Sequence, residues 1–234
     1  MQRIILTDLT HFSNPAIFCT AGIDQNSGEC VRPMPYLSGA RCQELNILPG
    51  AIFSAEFFKS AHLELPHSED RYYRYLKFCG YSTSENFRQV LLKSACQTVS
   101  EGFGIDVPPH EKVISVEKIP TVSLITIAIS PTDIEIVRDV YNTNKIKLHF
   151  SDKIGSEYRF ISITDLGFYR YAERHHNEVK NYQQINSFLN SQHEIFLRIG
   201  ISRFYQAPDG RAGYWMQING IYSFPDFFKA ARCY

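Results

Sequence analysis

The chain carries no surplus of either charge. Its 24 Lys and Arg are matched by 24 Asp and Glu, so no global basic field draws in nucleic acid, and any phosphate-binding site has to be a local patch. Its six cysteines, at 19, 30, 42, 79, 96 and 233, include no C-x-x-C pair. That argues against a zinc ribbon or a thioredoxin-type motif. No apolar run approaches the ~20 residues of a membrane span, so no membrane partner is expected. The apolar start, Ile4 to Leu6, is too short for a secretory signal and is soon followed by Asp8, so the expectation is a cytoplasmic protein with reduced thiols.

Motifs of familiar chemistry are also missing. There is no G-x-x-x-x-G-K-[ST] phosphate loop, and Gly102-x-Gly104 lacks the third glycine of a dinucleotide fingerprint. His62-x-Glu64 has no downstream P-C-x-x-C, as a zinc deaminase requires. Gly200-Ile201-Ser202 lacks the second glycine of a nucleophile elbow. The pair His175-His176 with Glu178 has no metal-ligand spacing and reads as a solvated linker. No metal or cofactor is expected. An active site assembled from distant residues stays open, so catalysis is undecided at this level.

Present in quantity are aromatics, with 17 Phe and 14 Tyr, which suit pleated surfaces and also make stacking platforms. Strands are predicted over residues 3–9, 17–23, 30–32, 51–58, 113–116, 122–129, 134–137, 145–150, 158–163 and 195–204. Residues 71–78 read as strand or short helix, and 36–49 and 61–70 as loops. Ser82-Thr83-Ser84-Glu85 reads as a capping box opening a helix over 84–99. Two further helices are predicted over 165–174 and 178–190. Residues 214–218 and 221–224 read as a hairpin about an Asn219-Gly220 turn.

This irregular order excludes a regular β-α-β alternation. It predicts a mixed, β-rich (α+β) chain, with two small β-barrel halves decorated by about three helices. The Pro- and charge-bearing connector at 105–112 suggests units of residues 1–112 and 113–234. No strict internal repeat is visible.

Two segments concentrate binding chemistry. In Gly28-Glu29-Cys30-Val31-Arg32-Pro33-Met34-Pro35-Tyr36, Arg32 lies before a rigid exit. Its fork either faces a phosphate or carboxylate, or pairs with a local acid such as Asp24 or Glu29. In the segment from Arg198 to Asp226, strand alternation sends Tyr214, Met216 and Ile218 to one face and Trp215 and Gln217 to the other. Trp215 either joins the core, which the burial habit of large aromatics favours, or offers a stacking ring beside Arg203 and Arg211. Tyr72, Tyr73 and Arg74 make a weaker group of the same kind.

These segments, with Phe160-Ile161-Ser162-Ile163-Thr164-Asp165-Leu166-Gly167-Phe168-Tyr169, resemble a bacterial dual OB-containing domain family. The most specific pieces are A-G-I-D…G-E-C-V-R-P and G-Y-W-M-Q-I-N-G-I-Y-S-F-P-D. The resemblance implies two OB-like barrels and nucleic-acid binding, in bacterial defence or nucleic-acid processing, and brings no catalytic residues with it. Three roles are in contention. One is a module for single-stranded or structured nucleic acid using Arg32, Arg203, Arg211, Tyr214, Trp215, Tyr72, Tyr73 and Arg74. Another is an enzyme acting on a nucleotide or nucleic acid at a cleft between the halves. The third is a subunit that engages a protein partner.

Overall fold

The computed structural model describes residues 1–11, 16–59, 64–139, 145–174, 179–227 and 232. His62, His175, His176, Glu178 and Cys233 lie outside the described residues.

The first sheet closes on itself. Strand β1 (Gln2–His11) pairs antiparallel with both β2 (Ile17–Asp24) and β5 (Ala51–Lys59). A bulge between Leu6 and Asp8 bends β1 so that it serves both neighbours. β2 continues to β3 (Cys30–Met34), which runs parallel to β6 (Asp70–Tyr81), and β6 returns antiparallel to β5. The ring β1-β2-β3-β6-β5 is a five-stranded Greek-key barrel of OB type. The expected loop at 36–49 holds a short strand, β4 (Leu37–Ser38), and helix α1 (Gly39–Glu44), capped by the Ser38 hydroxyl. The barrel interior is apolar, with Ile4, Leu6, Phe18, Val31 and Phe53 at its centre.

The second sheet repeats this plan with one strand cut in two. β9 (Leu124–Ile129) pairs with β13 (Glu194–Ile201), and β10 (Ile134–Arg138) pairs with β11 (Ile146–Ser151). Between them, a 3-10 turn runs from Pro131 to Asp133, capped by Ser130. Proline has no N–H to give a ladder, so the strand breaks there. β11 pairs with β12 (Glu157–Ile163), β12 runs parallel to β15 (Ala212–Phe224), and β15 pairs with β13. β9 and β10 together therefore take the place that β1 holds in the first barrel. Helices α4 (Leu166–Arg174) and α5 (Val179–Asn190) take that of α1.

Local signals were overruled in three places. The helix over 84–99 ends at α2 (Ser84–Ser94), because β7 (Ala95–Cys96) joins β9 in a parallel ladder. A separate turn, α3 (Val99–Phe103), follows. The cap of α2 is Thr83, whose hydroxyl accepts from Asn86 N, while Glu85 accepts from Gln89. The Asn219-Gly220 hairpin does not form, and β15 runs straight through it. Arg198 faces Gly220 and Ile199 faces Ile218, which leaves Asn219 as a bulge. A Cβ on Gly220 would lie 2.6 Å from the Tyr222 ring, so a side chain there would displace that ring.

The barrels are fused face to face by polar and apolar contacts. On β13, Arg198 donates from Nε to Asp8 on β1 at 2.9 Å, from Nη1 to Thr126 at 2.8 Å and from Nη2 to the Cys30 sulfur at 3.2 Å. Both charged side chains are only 1% exposed. Beside them, the Tyr222 hydroxyl donates to the Thr7 carbonyl at 2.6 Å. Ile5 and Ile23 of the first barrel pack with Phe196, Tyr222 and Phe224 of the second, and α2 adds Phe87, Val90 and Leu91. Glu69 accepts from Ser123 N, Ser123 Oγ and Leu124 N, tying β6 to the start of β9. Leu166 of α4 enters the first barrel's core.

Removing one partner of a buried ion pair strands the other charge. Arg198→Met is therefore expected to lower unfolding free energy by about 3–5 kcal/mol. Asp8→Ala combined with Arg198→Met should recover a large part of it. Urea unfolding of both variants measures the difference.

Candidate nucleic-acid interface

The segment that joins β13 to β15, with the first residues of β15, carries four of the eight predicted site residues: Arg203, Arg211, Tyr214 and Trp215. It leaves Ile201 on the second barrel, runs through Ser202-Arg203-Phe204 and forms β14 (Tyr205–Gln206) against the start of β15. One side of it faces a pocket between the barrels, and the other faces open solvent.

The pocket has a volume of about 560 Å3. It lies on the outer face of β2 and β3. Val31 points into the barrel core, so its neighbour Arg32 points out, toward the second barrel. Arg32 does not pair with Asp24 or Glu29. Asp24 caps its own turn through Asn26 N and Ser27 N, and Glu29 pairs with Arg71. Its partner is Asp70, brought alongside by the parallel β3–β6 register at a distance of 2.5 Å. Asp70 uses its second oxygen on Arg203 Nη2 at 2.6 Å. Burial pushes the Asp70 carboxyl up, but Arg32 and Arg203 together hold it below its ordinary range. Arg32 is 4% exposed, so it is a floor residue and not a surface guanidinium. Arg203 is half-exposed at the mouth.

His67, Tyr36 and Cys19 also line the pocket. Burial first, then the positive charges of Arg203 and Arg32, push the His67 imidazole down to about 3. It is therefore neutral at pH 7. Burial pushes the Cys19 thiol up to about 11, so it is protonated and not an activated nucleophile.

On the open side, Trp215 is half-buried and does not join the core. Its indole N–H donates to the Tyr205 carbonyl at 3.2 Å, and its ring meets the exposed Tyr205 ring at 6.2 Å. The Arg211 guanidinium lies 4.9 Å from the Trp215 ring centre. Arg211 also pairs with Asp209 and is 58% exposed, a surface pair of little energetic weight. Tyr214, Met216 and Ile218 turn to the second core as alternation required. Tyr214 therefore offers no open stacking face and meets the His67 ring edge at 6.4 Å.

Sequence reading missed the next residues along. Strand β8 (Val113–Ile114) pairs with β15, and Met216 N donates to the Lys112 carbonyl at 2.8 Å. The Lys112 ammonium lies 5.2 Å from the Phe160 ring centre on β12. Burial, then Lys147 and Arg211, lower the Lys112 pKa against the pull of Asp139. Lys147 on β11 donates to Ser162 at 2.8 Å. The alternation of 145–150 placed Lys147 outward, but Lys112 sat in a connector with no pattern to mark it.

The weaker group divides. Tyr73 packs against the first core. Tyr72 and Arg74 face out on β6, in line with Asp70, where Tyr72 stacks on Phe58 at 6.0 Å and Arg74 lies 5.4 Å from that ring centre. Arg74 is four residues beyond Asp70, or ~13 Å along an extended strand.

A closed Greek-key barrel and a second sheet of matching connectivity, with rings and cations on their outer faces, define a tandem OB-fold protein. The chain belongs to the dual OB-containing domain family, whose model matches residues 4–221. No curated protein matches it. Among solved structures, a murine DNA-binding protein bound with double-stranded DNA shares 8% identity, with 94% of this chain and 95% of that chain covered and a TM-score of 0.34. A likeness so distant says nothing about what this chain binds. Among the described residues no cluster of His, Cys, Asp and Glu could hold a metal ion, and no helix is long and apolar enough to cross a membrane.

A neutral buried imidazole couples stability to pH. The unfolded chain protonates His67 near pH 6.5, whereas the folded chain does so only near 3. The contribution is fully present above pH 6.5 and falls as pH drops between these values, by at most about 1.4 kcal/mol per pH unit. Denaturant midpoints for wild type and His67→Phe between pH 7 and 4 should diverge as pH falls, with wild type losing more.

Proposed function

We propose that the protein binds single-stranded nucleic acid across the outer face of β11 and β12 and the adjoining 202–215 segment. The observation that carries this is the pairing of cations with rings on one face: the Lys112 ammonium lies 5.2 Å from the Phe160 ring centre and the Arg211 guanidinium 4.9 Å from that of Trp215, which meets the Tyr205 ring. Cations held on a surface gain from an anion that bridges them, and a phosphodiester chain supplies one per nucleotide. The neighbouring rings supply stacking that tolerates any base. The face in question, strands two and three with the loop between strands four and five, is the one OB folds use for oligonucleotides. Tyr72, Phe58 and Arg74 extend the path onto the first barrel. We place the division between the two units before Ala95 and not at residue 112, since β7 joins the second sheet and Val99, Phe103 and Val107 join its core.

The test is fluorescence anisotropy with labelled DNA and RNA oligomers of about 20 nucleotides, long enough to cross two OB folds. Trp215→Ala should weaken binding roughly 5- to 100-fold, the loss expected for one stacked base. With three cations engaged, log Kd against log salt should change with a slope of magnitude about 2. Absence of binding at ~100 μM in low salt, the weak end of non-specific affinity, overturns the proposal.

A further inference from the structure

The pocket between the barrels contains hydrogen-bonding groups that the protein itself does not satisfy. Nη2 of Arg32 is buried without a partner, and so are both ring nitrogens of His67. The two side chains are 4% and 5% exposed, and both line the same cavity of about 560 Å3. Buried polar groups are rarely left unpaired, because each loses its water and gains nothing in return. Three such atoms on two residues that line one void mark a place where something else supplies the partner.

The chemistry of the missing partner follows from the inventory. Arg32 and Arg203 share a single carboxylate, Asp70. Glu69, the other acid that Arg32 feels, has both oxygens occupied by three donors at the start of β9. The surplus is therefore of guanidinium N–H donors. The neutral His67 adds one further N–H, and its second nitrogen can accept from a hydroxyl. A compact group with acceptor oxygens matches the guanidinium fork. The mouth is walled by the exposed Phe204 and Tyr205 rings, and the volume lies in the range that holds cofactor-sized ligands.

We propose that this pocket binds a phosphomonoester, with the phosphoryl group on Arg32, Arg203 and His67 and the remainder of a nucleotide against the Phe204–Tyr205 wall. The source is either a free mononucleotide or the terminal phosphate of a strand lying on the adjoining face. The second source rests on the function proposed above, and the first does not.

The probes are inorganic phosphate, adenosine 5′-monophosphate, and oligomers carrying a 5′-phosphate, a 3′-phosphate or only hydroxyl ends. The proteins are wild type, His67→Phe and Arg203→Gln. His67→Phe replaces an unsatisfied ring by an apolar one of similar shape, so it should fold. Arg203 is half-exposed, so its loss should be tolerated. If the source is a free nucleotide, adenosine 5′-monophosphate raises the melting temperature of wild type and of neither variant. If the source is a strand end, one terminally phosphorylated oligomer binds about tenfold or more tightly than its hydroxyl counterpart, and both variants lose that preference. Either result supports the pocket. The proposal is overturned if no phosphate-bearing probe shifts melting and all oligomers bind alike, or if the variants respond as wild type does. Loss of oligomer binding in Trp215→Ala with an intact mononucleotide response separates the two sites.

Discussion

One buried guanidinium determines how the two barrels meet. Arg198 lies in the middle of β13, where an apolar residue would suit the ladder, and it is held by groups from both halves of the molecule: Asp8 and Cys30 on one barrel and Thr126 on its own. A charge so far from water is tolerable only while every partner stays in place. That requirement fixes the rotation of one barrel against the other far more narrowly than the apolar cluster of Ile5, Ile23, Phe196 and Tyr222 could alone. Apolar packing tolerates sliding, whereas a fork with three acceptors does not.

Everything proposed about binding inherits this alignment. Arg198 and the 202–215 segment are successive parts of one stretch of chain, so anchoring β13 also anchors the loop that follows. Arg203 thereby reaches Asp70 of the other barrel, and Asp70 in turn holds Arg32. The bulge at Asn219 serves the same junction, turning its side chain toward the pocket and to the Thr164 hydroxyl. Pocket and open face are the two sides of a single loop. Closed on one side and solvent-exposed on the other, they suit a discrete phosphorylated group and a continuous strand respectively.

The second barrel also shows how one topology accommodates different sequences. In the first barrel, β1 bends through a bulge and serves two neighbours. In the second, Pro131 cuts the equivalent strand: β10 keeps β11, and β9 keeps β13 and gains β7 on its other edge. Similar connectivity with no repeated sequence is the expected outcome when register and twist, not residue identity, define the barrel.

Period-two alternation was enough to sort Tyr214, Met216 and Ile218 from Trp215 and Gln217, and the sequence alone marked most of the longer strands and the start of α2. Those are local properties: steric fit to a pleat and a hydroxyl near free N–H groups. The partner of Arg32 was invisible, because Asp70 is 38 residues away and arrives only through a parallel register. Lys112 gained meaning only from a ladder with β15, and Asn219-Gly220, a turn by every local rule, became a bulge because Arg198 and Ile199 lay opposite. Charge pairing and burial depend on which strands become neighbours, and that was decided by the pairing of strands within each half and the buried ion pair between them.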